Sequence, residues 1–125
     1  MFQTNKTRII RIGVTGGRDY TNTAKATHVL DRAYSVFKDR MHLVVGDARG
    51  LDFICRNWAD ATLKLEQWSC FYANWDLYGK KAGILRNEEM AKSGLDLLIS
   101  FPGGKGTKHM TEYCRGLNIK ILEIK

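Results

Sequence analysis

The run Phe101-Pro102-Gly103-Gly104-Lys105-Gly106-Thr107 stands directly behind the apolar stretch Leu97-Leu98-Ile99-Ser100. It reads as a strand that stops at a proline, turns through glycines and enters a helix at a threonine. Gly103, Gly104 and Gly106 permit positive φ and a close backbone approach that any Cβ would block. Thr107 can donate its hydroxyl to a phosphate oxygen or cap the helix. Such a turn offers bare N–H groups and the positive end of a helix dipole to an anion. The pattern is not a Walker A loop, because G-x-x-x-x-G-K-[ST] occurs nowhere in the chain.

A second glycine turn, Gly16-Gly17-Arg18-Asp19, follows the apolar run Ile9 to Val14. Arg18 brings a guanidinium suited to bidentate phosphate contact, and Asp19 a carboxylate for a ribose hydroxyl or for the arginine itself. A third turn, Gly46-Asp47-Ala48-Arg49-Gly50-Leu51-Asp52, follows a second apolar run. Asp52 there falls in a first helical turn, where the dipole alone favours a carboxylate. Farther along, Trp75, Tyr78, Lys80, Lys81, Arg86 and Asn87 interleave aromatic and basic groups, a composition that serves a nucleotide or a single strand through stacking and charge. Arg86 belongs to a helix whose N-terminus is expected to face the same crevice. Glu88 and Glu89 point about 100° apart on that helix and cannot pair across a substrate. His109 falls in the first turn after the glycine loop, within reach of a ligand there or simply exposed.

The elements that must carry these turns follow from apolar periodicity. Strand-like runs occur at Ile9 to Thr15, His42 to Val45, Gln67 to Ala73, Leu95 to Phe101 and Ile119 to Ile124. Between them Ala26, Val29, Leu30, Ala33 and Phe37 recur at helical spacing, as do Leu51, Ile54, Cys55, Trp58, Thr62 and Leu65. A third helix from about Gly83 to Ser93 is the least periodic. A short fourth helix carries Met110, Tyr113, Cys114 and Leu117 on one side, with Gly116 as its stop. Strict alternation of strand and helix calls for right-handed crossovers, hence an α/β, Rossmann-like, doubly wound, mostly parallel five-stranded sheet with helices on both faces. In such a sheet the first and fourth strands lie side by side, and ligands bind beyond their carboxyl ends where the order reverses. The two glycine turns follow these two strands.

The 125 residues suit one domain over residues 9–125, preceded by a loose polar segment, residues 1–8. No apolar run approaches the ~20 residues of a membrane span, and the start has no signal-peptide core. A cytoplasmic protein without membrane contact is expected. Cys55, Cys70 and Cys114 are scattered, as are His28, His42 and His109, so the residues imply no metal and no cofactor, only reduced thiols in a core. The formal charge of +7 favours an anionic partner without naming it.

At the three glycine turns, at Trp75 through Tyr78-Gly79-Lys80 to Gly83, and at Arg86-Asn87, the chain resembles the YspA-like group of the SLOG superfamily, over about residues 9 to 124. The resemblance implies a Rossmann-like fold and a nucleotide or nucleotide-derived ligand such as an ADP-ribose derivative, bound or sensed. Relatives in that superfamily include the Lonely Guy cytokinin-activating phosphoribohydrolases and the single-strand-binding DNA-processing protein A. In the phosphoribohydrolases a glutamate three residues after the loop threonine assists N-glycosidic cleavage. Met110 occupies that position here, while Arg86 and Met90 keep the spacing of their upstream motif. The loss speaks against hydrolysis unless Asp19, Asp52 or Glu89 substitutes. The binding set expected from residues and resemblance together is Gly16, Gly17, Arg18, Asp19, Gly46, Gly50, Asp52, Arg86, Asn87, Gly103, Gly104, Gly106 and Thr107. Phosphoribohydrolase-type cleavage and single-strand nucleic-acid binding stand as the alternatives, and a homo-oligomer is admitted because related folds commonly assemble.

Overall fold

The computed structural model describes residues 8–125. The loose head expected over residues 1–8 therefore lies outside the described residues except for Arg8, whose guanidinium meets Asp96 at 2.9 Å.

Five parallel strands form one sheet in the order β3-β2-β1-β4-β5: β1 Ile10–Thr15, β2 Met41–Gly46, β3 Trp68–Phe71, β4 Leu97–Ser100 and β5 Lys120–Glu123. The helices between them are α1 Thr23–Phe37, α2 Leu51–Thr62, a single turn α3 Trp75–Tyr78, α4 Ala82–Lys92 and α5 Lys105–Gly116. Period-two alternation along the strands makes two cores. Ile10, Ile12, Val14, Leu43, Val45 and Ile99 face α1 and α2, where Leu30, Leu51 and Cys55 are wholly buried. Val44 and Leu98 face the other way, onto Met90 of α4 and Met110 and Cys114 of α5. A strand buried on both faces reads as a continuous apolar run, and β2 and β4 read that way.

The expected doubly wound order is present, with β1 and β4 adjacent. Their register pairs Thr15 with Ser100, so the chain leaves both strands at the same rim and the two glycine turns start side by side. The outer strand β5 is short and largely exposed and carries Lys120 and Glu123, charges that discourage edge-to-edge pairing.

Several local expectations are corrected. The fourth helix runs through Gly116, and the left-handed residue that turns the chain is Asn118 at φ 63°; asparagine tolerates that region. Leu65 does not extend the face of α2 but sits 84% exposed in a 3-10 turn. The third strand is confined to Trp68–Phe71, and the following aromatic and basic segment folds into α3 and a 3-10 turn, with Asn74 accepting from the Leu77 N–H at 3.1 Å. Of the cysteines, Cys55 and Cys114 are buried and Cys70 is half-buried on β3; all are free thiols. No helix among the described residues is long and apolar enough to cross a membrane.

Gly50, the residue before α2, has φ +74°, and a Cβ built on it would stand 2.3 Å from the Gly17 carbonyl oxygen. Backbone obstructs it, so no rotamer change relieves the clash. Gly50→Ala is expected to lower unfolding free energy by about 2–4 kcal/mol, from left-handed strain plus overpacking. A urea midpoint equal to that of the unsubstituted protein contradicts this account.

Candidate functional site

The loops after β1, β2 and β4 converge on the backbone of one residue, Gly17. The Gly17 N–H donates to the Pro102 carbonyl at 2.9 Å, and the Gly17 carbonyl accepts from Leu51 at 3.1 Å and Tyr20 at 3.2 Å. Contact is close enough that a Cβ on Gly103 would lie 2.7 Å from the Gly17 nitrogen and 2.1 Å from Thr107 Oγ1. Gly103 thus serves close approach, and none of Gly103, Gly104 and Gly106 has positive φ, the positive-φ glycines being Gly50, Gly79 and Gly94. Because its N–H is spent on Pro102, Gly17 has no amide left for an anion.

The first turn of α5 keeps its amides. Gly104 precedes it without any side-chain cap, and Thr107, expected as a cap, sits as the third helical residue and is buried. Unpaired N–H groups of a first turn carry about half a positive charge with the helix dipole. Among the described residues a Cβ on Gly104 or Gly106 would meet nothing within 4 Å, so the backbone here faces open space. The turn is pinned over the end of β4: the Thr111 hydroxyl donates to the Thr107 carbonyl at 2.8 Å and lies 2.9 Å from the Ser100 hydroxyl.

The open space is a cleft of about 910 Å³ at the carboxyl rim between β1 and β4. Gly16, Gly17, Arg18, Asp19, Asp52, Arg86, Asn87, Gly103, Gly104, Gly106 and Thr107 line it. Gly46 and Gly50 do not line it. Gly46 lies beneath, where a Cβ would fall 2.7 Å from Asp52 Oδ2 and 2.9 Å from Arg86 Nη1, and Gly50 backs the first loop. His109 is turned away, 3.5 Å from Glu88 and stacked on Tyr113. Asp19 pairs with Arg49 at 3.3 Å, both exposed, and not with Arg18. Arg18 instead lies over the ring of Trp75, its guanidinium carbon 5.4 Å from the centroid.

The cleft floor is a buried charge cluster. Arg86 is only 7% exposed; its Nη1 donates to Asp47 and its Nε to Asn87 at 3.0 Å, while Nη2 has no protein partner among the described residues. A guanidinium fixed on two sides with a third nitrogen unspent is pre-set for an acceptor entering the cleft. Arg56 of α2 holds the loop beneath by donating to the Gly46 and Ala48 carbonyls at 2.8 and 2.9 Å. The sequence reading passed over Asp47, Arg56 and the cleft-lining Tyr20, Thr21 and Asn22. Asp47 stood inside a motif already singled out, and an arginine four residues after Asp52 was the signal available for Arg56.

Asp52 is 7% exposed and accepts from the Ala48 N–H at 3.2 Å. Burial raises its carboxyl from 3.8 to about 6; Arg86, the Ala48 amide and Arg56 oppose the rise. Since the unfolded chain releases this proton near 3.8, the native state holds more protons between that pH and about 6. Stability therefore falls as pH climbs through the window, by on the order of 3 kcal/mol once the group is ionised. Asp52→Asn is expected to be the more stable protein at pH 7 and to lose that advantage toward pH 4. Urea unfolding of both proteins across this range checks it; a difference independent of pH refutes the assignment.

Comparison with known proteins agrees with the geometry. The model of the YspA, cpYpsA-related SLOG family matches residues 10–78, which include the turns Gly16 to Asp19 and Gly46 to Asp52 and Trp75, but not the turn at Gly103 to Thr107. The "Gene 61 protein" of Mycobacterium phage D29 is 32% identical over 124 residues, covering 90% of this chain and 94% of that protein. No solved structure matches the chain. Family and α/β fold together support a general nucleotide-related role. The chain belongs to the YspA, cpYpsA-related SLOG family.

Proposed function

We propose that the cleft binds a nucleotide or nucleotide-derived ligand of the ADP-ribose kind, with its phosphate or diphosphate against the first turn of α5. The observation that carries this reading is the uncapped start of that helix, with Gly104 and Gly106 leaving space in front of it at the switch point between β1 and β4. Arg18, which makes no ion pair among the described residues, and the unspent nitrogen of Arg86 supply the positive charge. At about 910 Å³ the cleft lies at the upper end of ordinary ligand pockets, ample for a dinucleotide-sized molecule. A cytoplasmic location suits three free thiols, which a reducing compartment preserves.

Calorimetric titration with ADP-ribose, its cyclic forms, nucleoside monophosphates and NAD tests the proposal. At least one is expected to bind, Arg18→Ala to weaken it roughly tenfold or more through loss of a charge-assisted hydrogen bond, and Gly106→Val to block it by filling the space before the helix. Silence across the panel, or a Gly106→Val protein that titrates like the original, overturns the reading.

One observation favours turnover as a second reading. Met110 is fully buried in the α4–α5 core and offers no chemistry, and Glu89 is exposed away from the cleft, but Asp52 lies on the cleft floor with a carboxyl near 6, suited to proton transfer. Under N-glycosidic cleavage, incubated nucleotide releases free base, seen by chromatography, and Asp52→Asn releases none. Intact nucleotide at high protein concentration removes this reading.

A further inference from the structure

Trp75 is a large aromatic side chain with no core to belong to. The residue is 45% exposed and joins neither hydrophobic cluster. It projects from the single turn α3, and Gly83 at the start of α4 sits against its edge, where a Cβ would come 3.4 Å from Cη2. Burial does not explain why an indole stands here.

Its position does. Trp75 lines the main cleft and also a smaller cavity of about 270 Å³ beside it, and Arg18, Ala48 and Arg86 line both. Arg18 lying over the Trp75 ring therefore stands between the two spaces. Among the described residues no carboxylate pairs with the arginine and the ring is what it lies against, so its charge is available to a better acceptor. A phosphate is such an acceptor, because a charge-assisted hydrogen bond exceeds a solvent-exposed cation–π contact. Arg18 moving onto a phosphate uncovers the indole face next to the phosphate site. An exposed π-face lining the same cleft as the uncapped helix start accepts a planar base, whichever base it is.

We propose that Trp75 is the base platform of the cleft: the heteroaromatic ring of the ligand stacks on the indole in the place Arg18 occupies in the structure, and Arg18 passes to the phosphate. The inference rests on the nucleotide reading above and deepens it by assigning the base end of the ligand to the Trp75 side, where selectivity rests on stacking and not on hydrogen-bonded recognition of one base.

Titration of the full chain with ADP-ribose, and separately with ribose 5-phosphate and inorganic pyrophosphate, separates the base from the phosphate. Trp75→Ala is expected to weaken ADP-ribose roughly 5- to 100-fold while changing the base-free ligands less than about twofold. Trp75→Phe, which keeps a π-face, is expected to recover most of the lost affinity, and the indole quenching that ADP-ribose causes in the unsubstituted protein should be missing from it. Trp75→Ala that loses all three ligands equally, or none, overturns the platform and leaves the phosphate site standing. Failure of the unsubstituted protein to bind any of the three removes the nucleotide reading and this inference with it.

Discussion

Everything at the rim of this sheet depends on the backbone of one residue, Gly17. Its N–H ties the first loop to Pro102 and its carbonyl gathers the start of α2, so three loops from three strands meet at backbone distance. Backbone groups can meet this way only where no Cβ intervenes, which is why glycines stand at 17, 50 and 103. An ordinary loop satisfies its polar groups with water and stays mobile; here loops satisfy each other and inherit the rigidity of the sheet. The uncapped first turn of α5 is held open by that scaffold, and an anion entering it meets donors that need no rearrangement.

Beneath the knot, charge is arranged so that some of it is spent and some is not. Asp47 and Asn87 consume two nitrogens of Arg86 and orient the third, while Arg56 secures the loop that carries Asp47. Asp52, buried among them, is kept from ionising fully at mildly acidic pH because desolvation outweighs its cationic neighbours. The cost in stability above pH 6 is the kind of strain that functional sites carry and cores do not. Arg18 stands at the opposite extreme, exposed and, among the described residues, bound to nothing stronger than an indole face.

Much of the architecture was legible beforehand. Alternating strand and helix runs demand crossovers of one hand, and that rule leaves few arrangements for five strands, among them the one present. The weak periodicity of the third predicted helix, about Gly83 to Ser93, has a cause in the structure: Arg86 and Asn87 are buried polar groups lining the cleft, which spoils an apolar stripe. The misreadings are equally instructive. Gly116 was the obvious helix stop, but Asn118 turns the chain, because helices end where the next strand must begin and either residue tolerates φ > 0. Of the two roles open to Thr107, phosphate contact or helix cap, the cap is excluded, because Thr107 is the third helical residue and its hydroxyl packs beside Gly103.

Local chemistry thus determined the element order, the parallel sheet and the two glycine turns at adjacent strand ends, since propensity, periodicity and chirality act over a few residues at a time. Only the tertiary structure decided which charges are paired. Asp19 meets Arg49, Arg86 meets Asp47 and Arg18 meets Trp75. Those partners lie 30, 39 and 57 positions apart in the chain, and no short-range rule relates residues brought together by the folding of separate loops.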